Sequence, residues 1–286
     1  MKTNKEKIKH HYHTDGLYEL IVEKLNQLGL DLKTIKRSDL SAVDEFHVRG
    51  AAVSRELGNS VSLEGKTVLD VGCGIGGPCR MLADEFGCHA TGIDLSNEYI
   101  RTAKELSKLV KLEDKTSFVQ GDATNLPFDD ESFDIVWTQH VQMNIAEKQQ
   151  FYSEIQRVLK KGGYFLYYDI FKNTNASIQY PMPWASDESL SFLFGTDQMN
   201  EILNTLGFAQ HQTTNQTPLG LVFIEELIKK IKTNGPPKIG LNLLMKESTP
   251  IKILNAFNHL KQGDLKLESG VYTVSYTHLR AHETSE

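Results

Sequence analysis

The sequence predicts an α/β fold in which a parallel sheet carries helices on both faces. Three observations lead there. Five short apolar runs, "KTVLDVG", "HATGID", "TSFVQGD", "FDIVWTQ" and "YFLYYDIF", lack the alternation of a half-exposed strand and read as strands buried on both faces. Stretches with helical spacing separate them, which is the pattern of βαβ units. Glycines crowd the handover from the first of these strands to the next helix, in "VLDVGCGIGGPCR", Val68 to Arg80.

The remaining elements follow in order. "GLYELIVEKLNQLG", residues 16–29, puts Leu17, Leu20, Ile21, Leu25 and Leu28 on one helical face and stops at Gly29. A second helix is expected over 51–58. Pro78 opens a helix that Gly87 closes, and Ser96 is the expected N-cap of "SNEYIRTAKELSKLV". "AEKQQFYSEIQRVLKKGG" reads as a helix ending at Gly162. After Phe171 the rhythm breaks. "KNTNASIQYPMPWASD" is a loop or cap, Asp187 to Leu206 mostly helical, and "FAQHQTT" a sixth strand. Helices are expected over 219–232 and 249–262, the second with Thr249 as N-cap and Pro250 at its first position, before "LKLESGVYT" begins a last strand. These divide the chain into an N-terminal helical segment or lid (1–60), a ligand-binding core (61–172), and a substrate cap with the last strands (173–273). The string "VSYTHLRAHET", Val274 to Thr284, resembles a sequencing adapter translated in one frame. Residues 274–286 are therefore set aside as an artefact tail, with the natural chain departing near Thr273.

The bulk properties are those of a globular domain: 286 residues, 40% hydrophobic and 24% charged, with a net charge of −6. That balance supplies no basic face, so a nucleic-acid partner is not expected. The three cysteines, Cys73, Cys79 and Cys88, fit neither a disulfide framework nor a tetrahedral zinc site. No metal is expected, and the compartment reads as reducing. "MKTNKEKIKHHYH" lacks a secretory apolar stretch, and no run approaches the ~20 apolar residues that span a bilayer. A cytoplasmic location without stable membrane insertion is the expectation. His10, His11 and His13 look like a metal cluster but read as solvated histidines near a terminus.

Gly72, Gly74 and Gly77 match the dinucleotide pattern G-x-G-x-x-G. Asp70, two residues ahead of the first glycine, separates the ligands that such a loop serves. A carboxylate there repels a pyrophosphate, whereas it suits the ammonium and sulfonium of S-adenosylmethionine. Asp94, ending the second strand in "GIDLS", can accept both ribose hydroxyls. Asp122, in "QGDATNLPF", can accept from an adenine amino group, with the backbone N–H of Ala123 beside it.

With these residues in place, "VLDVGCGIGG", "GIDLS", "GDATNLPFDDESFDIVW" and "EIQRVLKKGGYF" resemble the successive motifs of class I S-adenosylmethionine-dependent methyltransferases over about residues 62–172. "GCGIGGPCRMLA" is similar to the tocopherol and sarcosine-type loop of the small-molecule branch, which also includes ubiquinone/menaquinone and dimethylglycine methyltransferases. The resemblance implies a Rossmann-like seven-stranded sheet with an antiparallel last strand. It implies S-adenosylmethionine as cofactor, held by Asp70, Gly72, Cys73, Gly74, Gly76, Asp94, Leu95, Asp122, Ala123 and Gln139. The string Asn/Asp-Pro-Pro-Tyr, usual in that family for adenine-N6 or glutamine methylation, does not occur, which points to a small-molecule acceptor.

Methyl transfer is an in-line displacement, so the protein mainly aligns and desolvates the reactants. The acceptor is expected over the end of the fourth strand, in "WTQHVQMNI", with His140 and Gln139 as the catalytic candidates and Gln142 and Met143 as contacts. His140 reads equally as a base and as a histidine packed beside the cofactor. His47 and Arg49 of "DEFHVRG", Tyr12 and Trp184 complete the candidate substrate set, with Phe192 beside them; Ser96 and Leu126 are expected to flank the adenine. Two alternatives stay open: an NAD-dependent oxidoreductase and a non-catalytic cofactor-binding regulator.

Overall fold

The computed structural model describes residues 3–12, 14–240 and 242–274; His13 and the adapter-like string beyond Val274 lie outside them. The five expected strands form β1 (Thr67–Val71), β2 (His89–Asp94), β3 (Thr116–Gln120), β4 (Phe133–Gln139) and β5 (Leu159–Lys172), joined by β6 (Phe208–Asn215) and β7 (Leu265–Val274). The sheet order is β3-β2-β1-β4-β5-β7-β6. β1 to β5 pair in parallel, while β7 runs antiparallel to both β5 and β6. The order reverses between β1 and β4, and ligands of open α/β sheets sit at such a switch point, beyond the carboxyl ends of the strands.

Alternate residues of one strand enter opposite cores, as a pleated strand covered on both faces requires. Val68, Trp137, Leu166 and Tyr168 pack with Val53, Leu57, Met81 and Leu82. These last lie on α4 (Ala51–Gly58) and α5 (Gly77–Glu85). Leu69, Val136, Phe165 and Tyr167 enter the other core with Phe151, Ile155, Met199 and Leu203. Those come from α7 (Lys148–Val158) and α8 (Thr196–Thr205). The N-terminal segment adds α1 (Asn4–His11), α2 (Leu17–Gln27) and the single turn α3 (Ser41–Asp44). Leu17, Ile21 and Leu25 of α2 pack on Leu106 of α6 (Asn97–Leu109), whose N-cap Ser96 accepts from the Tyr99 N–H as expected. The cap consists of α9 (Thr217–Asn234), the turn α10 (Asn242–Met245) and α11 (Thr249–Gln262).

Three elements differ from expectation. α7 ends at Val158 rather than Gly162, because Leu159 already pairs with Phe133 at a register shift of the ladder. Residues 191–195 are not helical: the Phe192 N–H donates to the Met143 carbonyl (2.7 Å), and the Phe194 carbonyl accepts from Lys172 N–H (3.0 Å). Thr249 is not the cap of α11 but its first residue, with Oγ1 donating back to the Lys246 carbonyl (2.5 Å).

Candidate active site

At the switch point the chain turns sharply after β1. Gly72 has φ of 78°, and a Cβ there would stand 2.4 Å from Val141 Cγ2. Only glycine lets the β1 loop pass beneath the loop that follows β4. Gly77 meets another backbone: a Cβ would stand 1.7 Å from the Asp44 carbonyl oxygen. Arg80, fully buried one turn on, fastens that contact. Its NH2 donates to Asp44 Oδ1 (2.6 Å) and to the Ile75 carbonyl (2.8 Å), and its NH1 reaches Ser107 Oγ (3.2 Å) and the Ala103 carbonyl (3.3 Å). The glycine loop, α6 and the segment 44–50 are thereby one unit.

Several N–H groups of this loop are taken internally. Gly72 and Cys73 both donate to the Ile93 carbonyl (2.8 and 3.1 Å), Gly76 to the Cys73 carbonyl (2.9 Å), and Gly74 to the Asp94 carboxylate (3.0 Å). An anion cradle needs such groups free. What faces the cavity instead is carboxylate: Asp70, Asp94 and Asp122 all line it. Asp70 is buried beside Cys79, whose Sγ donates to Oδ2 (3.4 Å), and desolvation pushes its pKa up to about 7. Asp94 accepts from Gly74 and Ser96 (2.8 Å), one bond to each oxygen, which leaves each a lone pair for a diol. Asp122 accepts from the N–H and Oγ1 of Thr124 (2.9 and 2.8 Å) and is ion-paired with Lys5 Nζ of α1 at 2.5 Å. The donor set thus fits a ligand with an ammonium, a ribose and an adenine, and disfavours a pyrophosphate.

Above the carboxyl end of β4 lies a buried polar network. Gln139 Oε1 accepts from Trp137 Nε1 (2.9 Å), and its Nε2 donates to Ser54 Oγ (3.1 Å) and lies 3.2 Å from His47 Nε2. That nitrogen is also 3.0 Å from Ser54 Oγ, 3.1 Å from the Gly50 carbonyl and 3.3 Å from Glu45 Oε2. Burial lowers His47 to about 4, whereas burial with the neighbouring Asp44 raises Glu45 to about 8. The pair is spaced like a salt bridge but is neutral near pH 7.

His140 follows directly. Its φ is 52°, an uncommon conformation for a side chain of that size. The turn is pinned from below: His140 N–H donates to the Tyr168 carbonyl (2.9 Å), and the Asp169 carboxylate accepts from Val141 (3.2 Å) and Gln142 (3.1 Å). The ring lies 4.8 Å from that of Tyr168 and 6.0 Å from that of His47. His140 Nε2 is buried with no hydrogen-bond partner among the described residues, and desolvation lowers its pKa well below the ordinary value.

α1 covers this cavity with Lys5, Ile8 and Lys9, and Tyr12 follows it. Tyr12 donates to Asn144 Oδ1 (2.8 Å), whose amide holds the carbonyls of Trp184 and Leu190 (2.9 Å each). A second cavity opens on the far side of Tyr12, Phe46, His47 and His140, which line both; Met143 and Trp184 line it too.

Most of the expected residues therefore converge. Asp70, Gly72, Cys73, Gly74, Asp94, Leu95, Asp122, Ala123, Gln139, His140, Ser96 and Phe192 line the first cavity. Others do not reach either. Gly76 packs against Phe118 and Arg80 at the start of α5. Arg49 is held by Glu56 (2.6 Å) and Gln216 (2.6 Å), Gln142 is spent on the Ile170 carbonyl (2.6 Å), and Leu126 lies in the core. His11 packs edge-on to Tyr12 at 4.9 Å. Sequence reasoning missed Glu45, Ser54 and Arg80; an arginine between Cys79 and Met81 on an otherwise apolar helix face was the available signal for the last.

Comparisons agree with this geometry. Residues 69–167 match the family model described as a methyltransferase domain. A sterol 24-C-methyltransferase of Gibberella zeae is 42% identical over 105 residues, 37% of this chain and 28% of the relative. The chloroplastic tocopherol O-methyltransferase of Arabidopsis thaliana is 38% identical over 120 residues, 42% of this chain and 34% of the relative. The chain spans about a third or less of the length of these curated relatives. Among solved structures, phosphoethanolamine N-methyltransferase 2 of Haemonchus contortus superposes with a TM-score of 0.71 at 19% identity, covering 96% of this chain and 60% of that one. None of these relatives is an NAD enzyme. The sheet order, the acids at the ends of the first three strands and the family match agree in likening residues 69–167 of this chain to a methyltransferase domain.

Proposed function

We propose that the chain is an S-adenosylmethionine-dependent methyltransferase acting on a small-molecule acceptor by in-line displacement. The observation that carries this is the meeting of two cavities at His47 and His140, one lined with Asp70, Asp94 and Asp122 among its carboxylates and the other apolar. When bound, the cofactor supplies a methyl group already activated by its sulfonium. Asp70 would hold its ammonium, Asp94 its ribose and Asp122 its adenine, the last in exchange for Lys5. The Gln139–Ser54–His47 network fixes the floor between the cavities without adding net charge. Cover from α1 and Tyr12 excludes water, which strengthens every polar contact inside.

His140 is the proposed proton acceptor. Its Nε2 has no hydrogen-bond partner among the described residues, and desolvation, by lowering its pKa, leaves it neutral near pH 7. As the new bond to the methyl carbon forms, the nucleophile's proton becomes strongly acidic, so a weak base suffices. In the proposed step the nucleophile's electron pair would form the bond to the methyl carbon as the carbon–sulfur bond breaks, the sulfur keeping that pair in neutral S-adenosylhomocysteine, and the nucleophile's proton would pass to His140. The three buried free cysteines and the absence, among the described residues, of a helix long and apolar enough to cross a membrane are consistent with a cytoplasmic enzyme. The sterol, tocopherol and phosphoethanolamine named for the relatives all favour a small molecule over nucleic acid. The test is release of S-adenosylhomocysteine across a panel of phenols, quinols and amines, with calorimetric titration of S-adenosylmethionine and NAD alongside. Tight NAD binding without S-adenosylmethionine binding would sink the reading.

A further inference from the structure

The cavity beyond His140 identifies the acceptor's chemistry, an inference that rests on the methyltransferase reading. Its walls come from separate parts of the fold: Met143, Ile170 and Trp184 from the core and its loops, Ile224 from α9, Ile253 and Leu260 from α11. Among the described residues no aspartate, glutamate, lysine or arginine lines it. Lys252, beside Ile253 on α11, is not among the lining residues. Three polar side chains reach it, Tyr12, His47 and His140. The Tyr12 hydroxyl is already donated to Asn144, and His47 Nε2 is shared among Gly50, Ser54 and Gln139. His140 Nε2 is buried with no hydrogen-bond partner among the described residues.

We infer that the acceptor is an uncharged, mainly hydrocarbon molecule presenting a hydroxyl of the phenol or enol type to His140. A phosphate or carboxylate would lose its hydration here and meet no cation, and an ammonium would meet no anion. An aliphatic amine, with a pKa near 10, is neutral in about one molecule per thousand at pH 7, so it reaches this site as a base only at that cost. A phenol is neutral in water already, and its body gains from leaving it.

Trp184 lines this cavity, so its fluorescence reads occupancy without turnover. The full chain is titrated with 4-octylphenol, 4-octylphenyl phosphate and octylammonium, with and without S-adenosylhomocysteine. The expected result is saturable quenching by the phenol, at least thirtyfold tighter than by either charged probe. Ala256→Phe, which fills the cavity without charge, should weaken the phenol at least tenfold while calorimetric binding of S-adenosylmethionine is retained. Ile253→Lys, which adds a cation, should narrow or invert the preference over the phosphate. Equal or tighter binding of a charged probe to the parent, or phenol quenching undiminished in Ala256→Phe, overturns the inference. Loss of S-adenosylmethionine binding in the parent, with phenol selectivity intact, would instead overturn the methyltransferase reading alone.

Discussion

Asp70 makes cofactor affinity depend on pH in a calculable way. Its pKa stands at about 7, raised by burial, with Asp94 adding to the rise and the Cys79 thiol opposing it. A cationic amine binds the ionised carboxylate, so the free protein must lose a proton first. With a pKa of 7, about half of Asp70 is ionised at pH 7 and about one part in a hundred at pH 5, a loss of roughly fiftyfold in affinity or about 2.3 kcal/mol. The sign is fixed by linkage: a carboxyl with a raised folded pKa stabilises the ligand-free fold fully below about pH 4 and loses that contribution as pH rises through about 7. Binding therefore strengthens with pH over the interval in which the free protein is being strained. The assay is calorimetry of S-adenosylhomocysteine, which has the ammonium but no sulfonium, at pH 5, 6 and 7 in two buffers of different ionisation enthalpy. Proton release near pH 6 should approach one per ligand. Asp70→Asn should bind weakly and lose most of the slope, any residue coming from Asp94, whose pKa burial also raises. An affinity that is flat from pH 5 to 7, or an unchanged slope in Asp70→Asn, would refute the assignment.

Three further outcomes are expected. Arg80→Met leaves Asp44 buried without its partner and should cost about 3–5 kcal/mol in denaturant unfolding, whereas an exposed control such as Arg55→Met should cost under about 1 kcal/mol. His140→Gln should lower kcat about 10²–10⁴-fold on a hydroxyl acceptor while S-adenosylmethionine affinity holds; because the imidazole pKa is depressed, the parent's kcat should stay level as pH falls through 6.5, and a limb centred there would count against the base role. Lys5→Met frees Asp122 from a half-exposed ion pair, so cofactor affinity should rise by a few-fold at most, measured by calorimetry at low salt; a marked fall would mean that Lys5 itself touches the ligand.

What the sequence by itself determined is the sheet, its parallel core and the carboxylates at the ends of its strands. These follow from local features: buried apolar runs, glycines at a tight turn, and an acid at or just past the end of a strand. Such features place a side chain at the switch point whatever else the chain does, which is why Asp70, Asp94 and Asp122 were legible. The helix ends at Val158 and Thr249 were not, because a ladder pairing and a neighbouring turn outweighed local propensity there. The second half of the site depended on contacts far apart in the chain. Arg49 and His47 stand two residues apart in "DEFHVRG", yet one is spent on Glu56 and Gln216 and the other borders both cavities. Only the packing of α9 and α11 against β5 and β7 decided that the space beside His140 is apolar and uncharged. Hydrophobic burial is non-directional, so the pattern of a helix says that a face is covered but not by what. That partner is settled when the sheet, the cap and the N-terminal segment close on one another.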